Sequence, residues 1–327
     1  MREELGAVRS RGTVTGPRVA ISTVNFGNAD LLRQNLVEMV AGHEDWSVVV
    51  VDNFTTDANR AEVVSLTDEQ GWHLVGEPGN LGFGAGVNAA ARRAWELGAD
   101  VMVVINPDAW IDGDNVALLA AALEHDPMSV VAPIVRRPDG SPWFQGLQMS
   151  WEDGAIRNPR RDPAAPGEHR LDWLSGACFA TTPAMWEASG GFDDDYFLYW
   201  EDVDFSKRVQ DAGGTVRVVR EAQAWHDEGG TQDDARRRVE AKSGTYYYYN
   251  IVNRMLFAAK HLDREGFLRW RRSILPHAKS ILWRGGRRQF LQSGEPWISG
   301  LRGVRDAYRV SHQGGVSRRR AQGEPLD

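Results

Sequence analysis

A single cysteine, Cys178 in "WLSGACFA", is all the thiol the 327 residues contain. That excludes an internal disulfide and a zinc site built on cysteine, and leaves Cys178 as a small buried hydrophobe. Long apolar runs are missing as well. Strand-like runs such as "VMVVI" last about five residues, against the roughly 20 needed to cross a bilayer, so no transmembrane helix is expected. The opening "MREELGAVRSRGTVTGP" has charges but no apolar stretch. It reads as a frayed extension and not as a signal peptide, which leads us to expect a cytoplasmic protein. There is no internal repeat.

What is present suits a globular chain. Hydrophobic residues make up 42 % of the sequence, enough for one large α/β domain with an appendage or for two modest domains. The net charge of −7 is unevenly spread. Residues 264 to 320 hold 14 Arg or Lys against 3 Asp or Glu, a local excess of +11, so the rest of the chain carries −18. The two parts must meet different surroundings, and the acidity of the larger one argues against nucleic acid as a partner.

In the first half, "RVAISTV", "WSVVVVD", "WHLV" and "DVMVVIN" alternate with helical patterns, as β-α-β units around a mainly parallel sheet require. Ligands of such sheets gather at the carboxyl ends of the strands. Those ends carry "TVNFGN", "VVDNFTTD", "GEPGNLGFGAGVN" and "INPDAW". The stretch around residues 136 to 170, rich in Pro, Gly and charge, reads as a long hairpin or mobile loop. Strands are expected at "LDWLSGACFATT", "TVRVV" and "AQAWH". Helices are expected near "PAMWEAS", through "EDVDFSKRVQDAGG", and over a long span within "DDARRRVEAKSGTYYYYNIVNRMLFAAKHL".

The segment "GGFDDDYFLYWEDVDFSKRVQDAGG" sets six carboxylates among aromatic residues. Partly desolvated acids cost free energy or shift their pKa upward, so the segment needs a cation, a capping role or a catalytic task. For Asp193, Asp194 and Asp204, capping and complementing a helix N-terminus is sufficient. Glu201 and Asp202 find further counterparts elsewhere. Asp108 in "VVINPDAW" is a strand-end carboxylate of the kind that holds Mg²⁺ or Mn²⁺, and His226 in "AWHDEGG" follows a short strand directly.

Taken in order, "VVVVDNFTTD", "GNLGFGAGVN", "VVINPDAW", "WLSGACF", "GGFDDDYFLYWEDVDFSKRVQDAGG" and "AWHDEGG" closely resemble the inverting family 2 glycosyltransferases of GT-A fold, in particular bacterial rhamnosyltransferases and galactofuranosyltransferases. The resemblance covers about residues 18 to 262. It implies Asp202 as the catalytic base with Glu201 beside it, and Asp52 as the reader of a pyrimidine base. Asn25, Asn80, Gly82, Asn88 and Asn106 would line the donor site, and Asp108 and His226 would hold Mg²⁺ or Mn²⁺. Asn106 stands where many relatives carry a first Asp, which leaves less charge around an ion. Trp173 and Trp200 would border the acceptor cleft, although either can equally serve the core. Val252 stands where relatives carry an Arg, for which Arg254 is the available substitute.

The resemblance therefore implies an inverting, metal-dependent transfer of a sugar from a pyrimidine nucleotide-diphosphate sugar, of the dTDP-rhamnose type, to a hydroxyl of a cell-surface glycan or lipid-linked precursor. A soluble small-molecule acceptor and a non-catalytic sugar- or nucleotide-binding protein are the alternatives. A dehydrogenase is disfavoured because Gly82, Gly84 and Gly86 are spaced G-x-G-x-G after the third strand. A nucleotidyltransferase would need a basic glycine loop after the first strand, and a glycoside hydrolase needs no nucleotide site.

The expected layout is an extension over 1–17, a GT-A domain over 18–262, basic helices over 263–313 and a disordered tail over 314–327. In the third part Arg269, Arg271, Arg272, Arg284, Arg287 and Arg288 alternate with Trp270, Ile274, Leu275, Ile281, Leu282 and Trp283. That pattern fits an interfacial helix holding the protein on an anionic membrane face, or else a helical pair packed on the catalytic domain.

Overall fold

The structure, a computed structural model, describes residues 16–227 and 242–322, with side chains described to 313. The expected extension lies almost wholly outside the described residues, as does "DDARRRVEA" at the start of the expected long helix.

Chain order begins with β1 (Val19–Asn25), a π-helical turn (Leu32–Leu36) leading into α1 (Val37–Val40), β2 (Ser47–Asp52), α2 (Asp57–Gln70), β3 (His73–Gly76), α3 (Phe83–Glu96) and β4 (Val101–Ile105). The strands lie in the order β3-β2-β1-β4, all parallel. Every residue of β1 and β4 is buried. Helices cover both faces, so these strands are continuous Val/Ile runs with no alternation.

The short β5 (Ala109–Trp110) and α4 (Gly113–His125) precede β6 (Ser129–Arg136), β7 (Pro142–Phe144), β8 (Leu147–Ser150), β9 (Ile156–Arg157), β10 (Arg170–Trp173), β11 (Cys178–Thr181), α5 (Pro183–Ser189), α6 (Glu201–Asp211) and β12 (Thr215–His226). β11 pairs antiparallel with both β4 and β6, and β12 runs parallel to β6, which extends the parallel block into the mixed sheet of a GT-A fold. Cys178 is fully buried, and burial pushes its thiol up to about 12, consistent with a packing role.

Two strand expectations are revised. "LDWLSGACFATT" is two strands: β10 belongs to a small sheet with β8 and β9, and β11 to the main sheet. The chain breaks at Gly176, where a Cβ would come within 2.8 Å of the Phe83 ring. "TVRVV" and "AQAWH" form the single strand β12, its register shifting between Val219 and Gln223. The stretch after residue 136 is a folded unit, with Arg170 and Arg157 joining Glu168 and Asp162 in ion pairs.

The C-terminal elements are α7 (Gly244–His261), α8 (Arg264–Arg272), α9 (Ile274–Trp283), α10 (Gln289–Gln292) and α11 (Glu295–Gln322). Helix α11 thus continues into the region read as a disordered tail. No helix among the described residues is long and apolar enough to cross a membrane. A second buried cluster joins Tyr196, Trp200 and Val203 with Tyr247, Met255 and Phe257 of α7, and with Phe267, Trp270, Ile274 and Ile281 of α8 and α9. It spans the expected boundary at 262/263. The apolar face read as an interfacial helix is divided: Trp270 is 0 % exposed and Ile274 and Ile281 are 1 % exposed, whereas Leu275 and Trp283 stay exposed.

Candidate active site

The parallel strands end on a common edge, and that edge sets the first group of residues. Asn25 and Asp52 are register partners on β1 and β2. The Asp52 carboxylate, 1 % exposed, pairs through Oδ2 with the Arg60 guanidinium at 2.5 Å. Arg60, one turn into α2, also donates to the Glu77 carbonyl and stacks on Phe54. Asp52 Oδ1 is left without a hydrogen-bond partner among the described residues. Asn25 uses its amide to tie down the carbonyls of Gly27 and Asn28.

After β4 the chain turns through Asn106-Pro107-Asp108, with Asn106 held by an N–H···O bond to the Ala177 carbonyl and the turn braced by Asn35 Nδ2 on the Pro107 carbonyl. His226 closes β12, whose last residues pair with β5, and its Nε2 lies 3.0 Å from Asp108 Oδ1. His226 Nδ1 is buried with no partner among the described residues. A carboxylate and an imidazole so placed are suitable ligands for Mg²⁺ or Mn²⁺. No group of three or more such side chains occurs among the described residues, so the pair fits an ion whose remaining positions go to phosphate oxygens and water.

Asp202 stands at the start of α6, next to the same turn. It accepts from the Gly176 N–H at 3.3 Å and from the Val203 N–H at 2.8 Å. Burial pushes its carboxyl up to about 6, even though those amides and the nearby Trp173 indole, which falls short of a formed hydrogen bond, favour its charge. Glu201 is buried, and desolvation followed by the Asp202 charge pushes it well above the carboxylate range. The backbone path Asp202, Gly176, Ala177, Asn106 couples this acid to the Asp108 turn. An aromatic wall runs alongside: Trp143 against His226, Phe144 against Trp143 and Trp173, and Trp173 beside Asp202.

Several sequence expectations move. Trp200 is 7 % exposed and packs on Phe257 and Trp270, so it is a core residue and no acceptor platform. Trp173 is half-buried, edge-on to Phe144 with its indole near Asp202. Arg254 is 1 % exposed and donates to the carbonyls of Asp153 and Trp270, so it offers nothing to a phosphate. The glycine loop serves close packing. Gly82 has φ +89°, and a Cβ there would fall 2.1 Å from the Phe197 carbonyl oxygen. Asn80 accepts from the Gly82 N–H, and Asn88 exchanges two hydrogen bonds with the Phe192 backbone while donating to Asp194. These side chains fix the acidic segment against α3.

Asp204 is no exposed cap. It is 0 % exposed and bonded to Arg208 at 2.7 Å and His261 at 2.6 Å. Asp193 and Asp195 share Lys260. Arg60, Asn53, Trp143, Gly176 and His261 were not singled out from the sequence. Arg60 alone had a local signal, a cation one turn into the helix that follows an acidic strand end. Asn53, which clamps Leu81 and Gly82, and His261 act across 28 or more residues.

The chain is similar to known glycosyltransferases in sequence and fold. The chain is 32 % identical over 204 residues to the N-acetylglucosaminyl-diphospho-decaprenol L-rhamnosyltransferase of Mycobacterium tuberculosis strain H37Rv, covering 55 % of this chain and 66 % of that enzyme, just under two thirds of its length. It is 24 % identical over 255 residues to the low-salt glycan biosynthesis hexosyltransferase Agl10 of Haloferax volcanii, covering 75 % of this chain and 78 % of that one. Its fold is that of the mannosyltransferase PcManGT of Pyrobaculum calidifontis, solved with GDP-Man and Mn²⁺, at TM-score 0.52 and 16 % identity over 93 % of this chain and 87 % of that one. The family model Glycosyl transferase family 2 matches residues 19–182, the half of the chain that holds Asp52, the Asn106-Pro107-Asp108 turn and Gly176. The chain belongs to glycosyl transferase family 2.

Proposed function

We propose that the protein is an inverting glycosyltransferase that moves a sugar from a pyrimidine nucleotide-diphosphate sugar, of the dTDP-rhamnose type, to a hydroxyl of a lipid-linked or cell-surface glycan precursor. The observation that carries it is the half-buried Asp202, its carboxyl pushed up to about 6 by desolvation, one backbone path away from the Asp108–His226 pair. Asp202 takes the proton of the acceptor hydroxyl while that oxygen forms its bond to the anomeric carbon. The bond from that carbon to the diphosphate breaks on the opposite face, so the configuration inverts in one step. Bound Mg²⁺ or Mn²⁺ would neutralise the charge that develops on the diphosphate. Trp173 and Trp143 offer faces for the acceptor, and Asp52 Oδ1, buried and without a hydrogen-bond partner among the described residues, is the oxygen that would accept a base imide N–H. The rhamnosyl and lipid-linked terms rest on the mycobacterial relative.

The nucleotide reading is tested by thermal shift. UDP or dTDP is expected to raise the melting temperature of the native protein only with Mn²⁺ or Mg²⁺, and by more than GDP does. Asp108→Ala or His226→Ala should remove the metal-dependent part without unfolding the chain. Equal shifts with and without chelator would overturn the metal assignment.

Peripheral attachment to an anionic membrane belongs to the same reading, on the part of the basic C-terminal surface that stays exposed and its extension into the last helix. Trp283, Leu291, Trp297, Ile298 and Leu301 are exposed on α9 to α11 beside exposed Arg287, Arg288 and Arg302. Apolar side chains to insert and cations to face lipid headgroups are what an interfacial surface needs, each cation contributing about 1 kcal/mol. Phosphatidylglycerol vesicles should sediment the protein at low salt, and Leu301→Glu with Trp297→Glu should abolish this with the fold intact. Failure to bind anionic vesicles would leave a soluble acceptor as the better reading.

A further inference from the structure

Tyr199 and Trp200, immediately before Glu201, have φ of 64° and 75°. They are the only non-glycine residues with positive φ among the described residues. Bulky side chains avoid this left-handed region, and a pair of them persists only where the surroundings hold it. The same segment uses glycine at its other left-handed positions, Gly190 and Gly191. At 199 and 200 the chain keeps two large side chains instead, so something must fix the turn.

That support comes from one face of α7. The buried Asn253 donates both amide hydrogens, to the Leu198 carbonyl at 3.0 Å and the Tyr199 carbonyl at 2.8 Å. Phe257, one turn on, packs against the Trp200 ring at 5.5 Å. Lys260 bonds Asp193 and Asp195, and His261 bonds Asp204. Residues 253, 257, 260 and 261 share a face at helical spacing. Of these four, Asn253 alone bonds the backbone of the left-handed turn, whose Trp200 carbonyl otherwise accepts from the Asp204 N–H of the following helix. The turn it grips delivers Asp202 to the Gly176 N–H.

We propose that Asn253 is a positioning residue for the transfer reaction, holding the left-handed Tyr199–Trp200 turn so that Asp202 is set against the Gly176 amide and the cleft. This rests on the reading of Asp202 as the base. Asn253 touches no substrate, and its effect passes through the backbone of 198–200. A base displaced by about an ångström loses on the order of a hundredfold in rate.

The test uses the full chain. Asn253→Leu keeps the volume and removes both donors, and Asn253→Ser is the milder second variant. Both are expected to lower kcat for dTDP release from dTDP-L-rhamnose with Mn²⁺ by about 30- to 300-fold, while the dTDP dissociation constant stays within about twofold. Two further readouts need no turnover. Amide hydrogen exchange should quicken at 198–203 and not across the sheet, and the Asp202 carboxyl, followed by carbon NMR, should titrate at lower pH as water reaches it. In a Tyr199→Asn background, where the left-handed backbone is tolerated, Asn253→Leu should cost several-fold less turnover. Folded variants with native local exchange and a native Asp202 titration would overturn the proposal, as would equal losses in both backgrounds. Asp202→Asn is run in parallel. Retained turnover there removes the base assignment, whereas lost turnover there with native behaviour of the Asn253 variants removes only the present inference.

Discussion

Asp202→Asn is expected to lower turnover by a factor on the order of 10² to 10⁴ with nucleotide binding nearly unchanged, because the amide keeps the shape and accepts no proton. The pH dependence of the native enzyme follows from the same group. As the proposed base, Asp202 has to be ionised to take a proton, so kcat/KM should fall about tenfold per pH unit below a midpoint near 6. Stability moves the other way. The folded state binds a proton more tightly than the unfolded chain, so between the ordinary Asp range and about pH 6 stability is lost as pH rises. The asparagine variant escapes that loss and should be more stable than the native protein at pH 7 to 8, by roughly 2 to 3 kcal/mol, but not at pH 4. Parallel activity and urea-unfolding profiles check both signs. A variant that keeps most of its activity would end the assignment.

The second large effect is on the fold around the base. Asp204→Ala removes a fully buried carboxylate and leaves Arg208 and His261 without their shared partner. Losing one member of a buried ion pair costs about 3 to 5 kcal/mol. Desolvation opposes the Asp204 charge, but the His261 hydrogen bond and the Arg208 charge outweigh it and hold the carboxyl below its ordinary value. The stability it contributes is therefore present above the unfolded Asp range and disappears as pH falls through the lower folded value. At pH 7 the alanine variant should show a markedly lower urea midpoint, and the gap to the native protein should narrow below about pH 4. A gap that persisted into acid would mean that Asp204 acts by packing alone. Since Asp204 lies in the same helical turn as Asp202, activity should fall ahead of global unfolding.

How far these residues could be found without the structure depends on the distance over which they act. Asp108 and His226 stand out locally because each lies at or just after a strand end, where a parallel sheet presents ligands, whereas Asp52 as base reader and Asp202 as catalytic base were nominated by the family resemblance. The local signal at Asp202 was only that two acids follow an aromatic run at a helix start. Trp200 was misplaced because adjacency in sequence to Glu201 says nothing about direction: the left-handed turn sends its ring away from the cleft and into the cluster with Phe257 and Trp270. The basic C-terminal helices admitted two readings for a similar reason. An amphipathic pattern reports one apolar face, and a membrane or a neighbouring helix satisfies it equally.

The sequence alone determined the β-α-β order, the burial of the parallel strands and the loops that carry acids, since all of these follow from residue periodicity and side-chain type within a few positions. Tertiary structure decided which acids are paired and which are left to work. Asp52 and Asp204 are charge-compensated by Arg60 and by Arg208 with His261, whereas Asp202 is met only by amides and an indole, and Glu201 Oε2 by no partner among the described residues. The proton affinity of a carboxylate depends on its burial and on the charges that reach it through space, and chain position does not encode either when the partners lie dozens of residues away.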